Sequence, residues 1–283
     1  MEKYDLKFIK QKFKMTIIFK AKSQEAYCLK ILIELLANNI KTGCFVIDES
    51  GISLCMMDHH RKILVDLSLK AENFSIYKFN SKKMYLGINL NHAHKMTRSV
   101  KKKDSIELSI DDESPTDLCI KVIPKENNRI TTSYIKIQSI QNLDIDLPTG
   151  YDKPVIVSSS EYQKTLKDLG NLGNTVKITS RNYQIEFNSD AGGILKRSVQ
   201  FGEIDLDDTS ESENKEFSQE FASEQLCRIT KLSGLGTNIQ IYPGKPLLFK
   251  SNIGSLGKIA IYIKSKEQID SESCAVESDY ESD

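Results

Sequence analysis

Residue types able to do bond chemistry are few in this chain and poorly spaced for it. Asp58, His59 and His60 are consecutive. They lack the i, i+4 spacing with which a helix aims two ligands at one metal, and no remote partner accompanies them, so they read as a solvated loop. His92 and His94 stand two apart at the start of a helix pattern, which points them to different faces. Asp144 and Asp146 are the nearest approach to paired carboxylates, with no acid–base setting around them. Gly192 and Gly193 precede a strand pattern and read as a turn, not a phosphate cradle. The cysteines, at 28, 44, 55, 119, 227 and 274, form no CxxC pair, and most lie in apolar runs. That is the pattern of buried free thiols in a reducing compartment. No nucleophile elbow, phosphate loop, dinucleotide fingerprint or HExxH motif occurs. The sequence points away from an enzyme and calls for no metal or cofactor.

What the chain offers instead is charge in rows. Its periodicity predicts four short helices, each with an apolar stripe and a polar face. In Gln24–Asn38, Cys28, Leu32, Leu35 and Leu36 form the stripe, and Lys30 shares another face with Glu34 and Asn38. In Asn91–Lys103 the stripe is Ala93, Met96 and Val100, opposed by Lys95, Arg98 and Lys102 with Lys101 and Lys103 alongside. Glu161–Asn171 sets Tyr162, Leu166 and Leu169 against Lys164 and Lys167. Gln219–Ser233 sets Ala222, Leu226 and Ile229 against Glu224, Arg228 and Lys231. One such row is an ordinary solvated face. Equivalent rows on one side of a sheet would gather charge that attracts a phosphate backbone without reading bases. The chain has 39 Lys and Arg against 39 Asp and Glu, so any affinity for nucleic acid must be local rather than bulk.

The elements between these helices read as strands. They are Thr16–Lys20, Phe45–Asp48, the two strands within Gly51–Lys70, Ser75–Phe79, Met84–Asn89, Ile106–Ile110, Leu118–Ile123 and a long one at Ile130–Ile140. Gln141–Lys153, followed by Pro154, has few periodic residues and reads as an extended connector. After it the order begins again, with strands Val155–Val157, Thr175–Thr179, Tyr183–Asn188, Ile194–Phe201, Thr237–Tyr242, Pro246–Ser251 and Lys258–Lys264. The helices begin near 24, 91, 160 and 219, each preceded by one strand and followed by several. The expectation is an α+β fold of two similar halves, spanning residues 16–140 and 155–265 and joined by 141–154. Residues 1–15 form a basic N-terminal extension, a loose arm or an added element. Glu203–Glu216 is an acidic loop. Asp270–Asp283, with six acids and no Lys or Arg, completes an expected disordered tail from 266 to 283. No apolar run approaches the roughly 18–20 residues of a membrane span. Nor does the N-terminus have the apolar core of a secretory signal, so an intracellular, soluble protein is expected.

In Gly51–Lys70, Ile52, Leu54 and Met56 alternate on one face of the first strand. Ile63, Val65, Leu67 and Leu69 do so in the second, with Leu64, Asp66 and Ser68 opposite. Gly51-Ile52, Leu54, Met57-Asp58, Leu64-Val65, Leu67, Leu69, Glu72, Phe74 and Tyr77 together resemble a hallmark of the proliferating cell nuclear antigen family, the sliding clamps of eukaryotes and large DNA viruses. Leu86–Met96, Ser159–Ile178 and Gly244–Ile263 resemble further family segments in family order, so the likeness covers nearly the whole chain.

The resemblance implies a closed homotrimeric ring with helices lining a central channel, sheets outside and duplex DNA within. Its partners would be DNA polymerase, other proteins bearing a clamp-binding motif, and an ATP-dependent loader. The place of action would be the nucleus or a viral or cytoplasmic replication site. Lys30, Lys95, Arg98, Lys164, Lys167 and Lys231 match basic channel positions. Glu224 stands where a basic residue is usual, and Arg228 is expected to compensate in part. Subunits would join through the strands at about Ile130–Gln138 and Ile194–Phe201, bringing in Ile130, Ser133, Ile135, Ile137, Ile194, Lys196, Ser198 and Gln200. Met57, Leu64, Ile145, Leu147, Pro246 and Tyr262 match the pocket that takes client motifs. Two departures bear on clients: the His60-Arg61-Lys62 loop is more basic than usual, and Lys264 replaces a small residue. Two other readings stay open. One is a subunit of a heterotrimeric checkpoint-type clamp; the other is a monomeric β-rich protein binding DNA through the same helices.

Overall fold

The computed structural model describes residues 17–126, 129–181, 183–202 and 216–280. The expected N-terminal arm, most of the acidic loop at 203–216 and the last three residues of the tail lie outside the described residues.

The first half runs β1 (Ile17–Ser23), α1 (Ala26–Ala37), β2 (Thr42–Asp48), β3 (Gly51–Met57), β4 (Ile63–Lys70), β5 (Ile76–Phe79), β6 (Lys83–Asn89), α2 (Leu90–Thr97), β7 (Ser105–Asp111), β8 (Asp117–Ile123) and β9 (Thr131–Lys136). The second runs β10 (Val155–Ser158), α3 (Ser159–Gly170), β11 (Thr175–Arg181), β12 (Gln184–Asp190), β13 (Lys196–Phe201), β14 (Phe217–Ala222), α4 (Ser223–Arg228), β15 (Asn238–Tyr242), β16 (Leu247–Ile253), β17 (Gly257–Ile263) and α5 (Lys266–Tyr280). A 3₁₀ turn at Thr230–Gly234 follows α4.

Three antiparallel sheets result. One has the order β5-β1-β7-β8-β9 and another β13-β12-β11-β14. The third, β10-β15-β16-β17-β4-β3-β2-β6, is shared by both halves. Its joint is β17 against β4, with Tyr262 opposite Leu64 and Ile261 opposite Val65. Two glycines permit close approach to β4, Gly257 from β17 at this joint and Gly51 from β3 on its other side. A Cβ on Gly51, whose φ is +146°, would lie 1.9 Å from the Leu69 carbonyl oxygen, and one on Gly257 would lie 1.9 Å from that of Ser68. Further bonds tie the halves: Lys264 N–H to Lys62 O at 3.0 Å, Lys70 N–H to Leu256 O at 3.0 Å, and the Ser255 hydroxyl to Glu25 Oε1 at 2.6 Å.

α1, α2 and α3 lie on the inner face of the shared sheet, with contacts from α1 to β16, α2 to β2 and β6, and α3 to β10 and β15, and α4 continues the layer onto β14. Within the layer α1 touches α2 and the Thr230–Gly234 turn, and α3 touches that turn and α4. Apolar residues on the inner faces, such as Leu32, Leu35, Leu166, Leu169 and Leu226, join β-strand residues such as Val65, Leu67, Phe249 and Ile261 in one continuous core.

Several boundaries differ from the sequence reading. The second helix stops at Thr97, not Lys103, so Lys101 and Lys102 lie in the turn that follows. The Asp104 carboxylate accepts Lys101 N–H at 2.9 Å and fixes that turn. Met96, expected in the stripe, is 37% exposed. Thr97 is buried instead, its hydroxyl bonded to Ala93 O at 2.9 Å. The fourth helix begins at Ser223, because Phe217–Ala222 pairs with β11 as a strand. The expected disordered tail is helical over Lys266–Tyr280. Its start is fixed by a reciprocal cap, Ser265 N–H to Gln268 Oε1 at 3.1 Å and Gln268 N–H to Ser265 Oγ at 3.3 Å. Ion pairs Lys245–Glu267 (3.0 Å) and Lys264–Glu272 (2.7 Å) hold it to the body. The long strand at Ile130–Ile140 shortens to β9, leaving Ile130 and Ile137 outside it, and the one at Ile194 starts at Lys196.

Candidate nucleic-acid face and partner pocket

The helix layer carries the predicted cations, in two states. On α2 and α3, Lys95, Lys164 and Lys167 are exposed, as is Arg98 at the C-cap of α2. None has a carboxylate partner among the described residues. Both helices are locally well started: the Asn89 side chain accepts His92 N–H at 3.0 Å, and Ser158 Oγ accepts Glu161 N–H at 3.4 Å.

The other predicted cations are engaged. Lys30 on α1 donates to Arg98 O at 2.8 Å and Val100 O at 3.1 Å, closing the negative C-terminal end of α2. It also lies 5.5 Å from the Tyr27 ring centroid, and Lys102 lies 5.9 Å from it. Lys231 pairs with Glu34 of the first half at 2.8 Å. Arg228 pairs with Glu224 at 2.5 Å and lies 3.7 Å from the buried Asp58 carboxylate. The expected compensation for Glu224 therefore takes a different form, since Arg228 neutralises it directly. Asp58 also accepts Lys62 N–H at 2.7 Å and Ile63 N–H at 2.9 Å. Those bonds turn it away from the neighbouring histidines, whose rings meet each other at 5.2 Å. Among the described residues no three His, Cys, Asp or Glu side chains gather as metal ligands would. Burial and the nearby Glu25 push the Cys28 thiol up to about 12, and burial with Asp66 pushes Cys55 up to about 11. Both are protonated at neutral pH and inert as nucleophiles.

On the opposite face of the shared sheet a second, smaller apolar cluster stands apart from the core. Leu64, Leu248, Ala260 and Tyr262 form it, with Cys55, Met57, Ile145, Tyr151 and Tyr242 partly buried around them. Four of the predicted pocket residues, Met57, Leu64, Ile145 and Tyr262, meet here. Leu147, 39% exposed, and Pro246 lie outside the cluster. The connector is anchored by Tyr151, which the sequence reading missed. Its hydroxyl donates to Pro246 O at 2.8 Å, and its ring meets Tyr242 and Tyr262 at 6.1 Å each. Leu248 and Ala260 were also missed, although each sits on the alternate face of its strand, in step with Tyr262.

β9 and β13 are edge strands. At β9 the alternation runs opposite to the predicted contact set. Ile135 is 4% exposed, drawn into the core opposite Leu118, and Ser133 and Ile137 are partly buried. The outward residue is Tyr134, 65% exposed, and Ile130 is 49% exposed just before the strand. At the other edge Ile194 (93% exposed), Lys196, Ser198 and Gln200 all face outward. No helix among the described residues is long and apolar enough to cross a membrane.

Comparisons with known proteins agree with this architecture. Residues 18–147 match the family model for the N-terminal domain of proliferating cell nuclear antigen, and residues 147–266 match that for its C-terminal domain. Proliferating cell nuclear antigen of Chaetomium thermophilum is 26% identical over 88% of this chain and 98% of its own length. A probable DNA polymerase sliding clamp of Autographa californica nuclear polyhedrosis virus is 24% identical over 88% of this chain and 96% of its own. The crystal structure of proliferating cellular nuclear antigen from Entamoeba histolytica superposes with a TM-score of 0.76 at 20% identity, over 89% of this chain and all of that one. With both domain models matched in order across the helix-lined, sheet-backed body, the chain belongs to the proliferating cell nuclear antigen family.

Proposed function

We propose that the protein is a DNA sliding clamp, a ring of three copies that encircles duplex DNA and holds a polymerase at the primer end. The observation that carries this reading is the one-sided layout. Cations without carboxylate partners (Lys95, Arg98, Lys164, Lys167) stand on the helix layer, and an apolar cluster stands on the opposite sheet face. A ring cannot leave DNA without opening, so its phosphate contacts can be few and mobile. A client bound at the outer cluster is then kept at high effective concentration on the template. In this reading residues 16–140 and 155–265 are the two clamp domains, with connector 141–154 bordering the client pocket. The open edges β9 and β13 pair between copies, which removes both from solvent. An ATP-dependent loader opens the ring at a nuclear or viral replication site, and the protein itself performs no catalysis.

Solution mass across a concentration series tests the ring. Three copies of 32.1 kDa give about 96 kDa. A species of that mass supports the ring. A 32.1 kDa monomer at every concentration overturns it, and would turn the search to a heterotrimeric or monomeric mode of DNA binding.

A further inference from the structure

The helix that replaces the expected tail stands at one end of the outer apolar cluster. Lys264 N–H bonds Lys62 O and carries the β17–β4 pairing one residue beyond Ile263, so the Lys264 side chain falls on the same face as Tyr262. Pro246 precedes Leu247, which pairs with Ile263, and its carbonyl holds the Tyr151 hydroxyl at 2.8 Å. Lys245 and Lys264 are therefore the cations at this end. Farther along the strands, Lys250 lies 4.9 Å from the Tyr242 ring centroid and pulls on the Asp66 carboxyl. The connector brings the opposite charge, with exposed Asp144 and Asp146 on either side of Ile145.

Both end cations are taken by α5. Lys245 pairs with Glu267 at 3.0 Å, and Lys264 reaches both Glu272 carboxylate oxygens at 2.7 Å. The rest of the attachment is thin. Lys266 donates to Thr175 Oγ1, Glu267 bonds Gln219 of β14, and no residue from 266 to 274 is buried. Exposed ion pairs of this kind contribute little and are screened by salt. α5 is thus a weakly held set of carboxylates, seated on cations that border an apolar cluster.

We propose that Lys245 and Lys264 form an acid-binding subsite of the outer cluster. Its occupant is a client peptide whose apolar anchors are accompanied by Asp or Glu residues, and α5 is the chain's own competitor, lifted by such a peptide. The proposal rests on the client-pocket reading and adds to it the charge of the client. Asp144 and Asp146 repel those acids from the connector, so charge also orients the peptide.

The test begins with phage-displayed random peptides panned on the full chain. Enriched peptides should carry Asp or Glu beside their apolar residues and should fail to bind Met57→Glu. No enrichment, or enrichment that survives Met57→Glu, overturns the client-pocket reading and the subsite with it. Enriched peptides that need Met57 but show no excess of acids overturn the subsite and leave the pocket standing. A labelled acidic peptide from the set is then titrated by fluorescence anisotropy, with circular dichroism as the check on folding. Glu267→Gln with Glu272→Gln should bind it about three- to tenfold tighter than wild type. Lys245→Ala with Lys264→Ala should bind it about tenfold or more weaker. Equal affinity in all three proteins overturns the subsite. Weakening in the lysine variant without tightening in the glutamine variant overturns the competitor and keeps the subsite. A last measurement needs no variant: the bound peptide should speed hydrogen exchange of the α5 amides in wild-type protein. Exchange that is unchanged or slowed overturns the displacement of α5.

Discussion

The helix layer divides into a central pair and a flanking pair, and the two use the same residue type differently. α1 meets the Thr230–Gly234 turn after α4 at the seam between the halves; Lys30 is engaged by Arg98 O and Val100 O of its own half, Arg228 by Asp58 and Glu224, and Lys231 by Glu34. α2 and α3 lie to either side, where Lys95, Arg98, Lys164 and Lys167 keep their side-chain charge toward solvent. A cation opposite an apolar stripe is thus tied within the protein or left to solvent, according to whether packing brings it a carboxylate or carbonyl partner. Burial of the partner decides how much the tie is worth, because a charge left unpaired out of water costs more than a surface pair gains.

The largest effect that would test this division is on DNA. Lys95→Glu with Lys167→Glu reverses charge on both flanking helices and, in a ring, does so three times over. DNA retention should fall by about a hundredfold or more in low salt, with oligomer mass and thermal midpoint unchanged. Loss of the oligomer would move these residues out of the channel. Next, Arg228→Ala at the seam strips the buried Asp58 of its cation and should cost about 1–3 kcal/mol in urea unfolding, while DNA retention changes less than about twofold. A large DNA defect without a stability loss would erase the distinction between the pairs. On the opposite face, Tyr151→Phe removes the bond to Pro246 O and should cost about 1 kcal/mol. Faster hydrogen exchange confined to the connector would be its signature. The smallest effect belongs to Asp66 beside that cluster, whose carboxyl pKa is raised by burial against the lowering pull of Lys250. An acid raised on folding favours the fold when protonated. That advantage is present below the ordinary carboxylate range and is lost as pH rises through the folded value. Asp66→Asn should therefore raise the Tm slightly at pH 7–8 and give no gain at pH 3.

Local pattern was legible where one face of an element decides its fate. The alternation in Gly51–Lys70 separates Val65 and Leu67, in the core, from Leu64, in the outer cluster. It failed where two periodicities fit. Gln219–Ala222 was expected to open the fourth helix with Ala222 in its stripe, yet Phe217–Ala222 is a strand because β11 offers it an edge. Composition misled at the C-terminus, where few apolar residues suggested disorder and a cap with two ion pairs supports a helix. The outer apolar cluster was legible in part, in Met57, Leu64, Ile145 and Tyr262, but Tyr151 was not, since nothing local marks a tyrosine that will bond a carbonyl far along the chain. The seam pairs Arg228–Asp58 and Lys231–Glu34 depend on how the halves meet, which no window of sequence contains.

The shared sheet is completed from its middle: β17, the last strand among the described residues, lies between β4 and β16. On a ribosome, β4 emerges with one side unpaired and waits while the chain from 71 to 263 is made, about 10–40 s at 5–20 residues per second. Through that interval its open backbone is a template for mispairing, and the long-range closure that ends the risk is of the slow kind. The outer apolar cluster inherits the same timing, because Ala260 and Tyr262 arrive with β17. A nascent chain therefore lacks a complete outer cluster until its last strand is made.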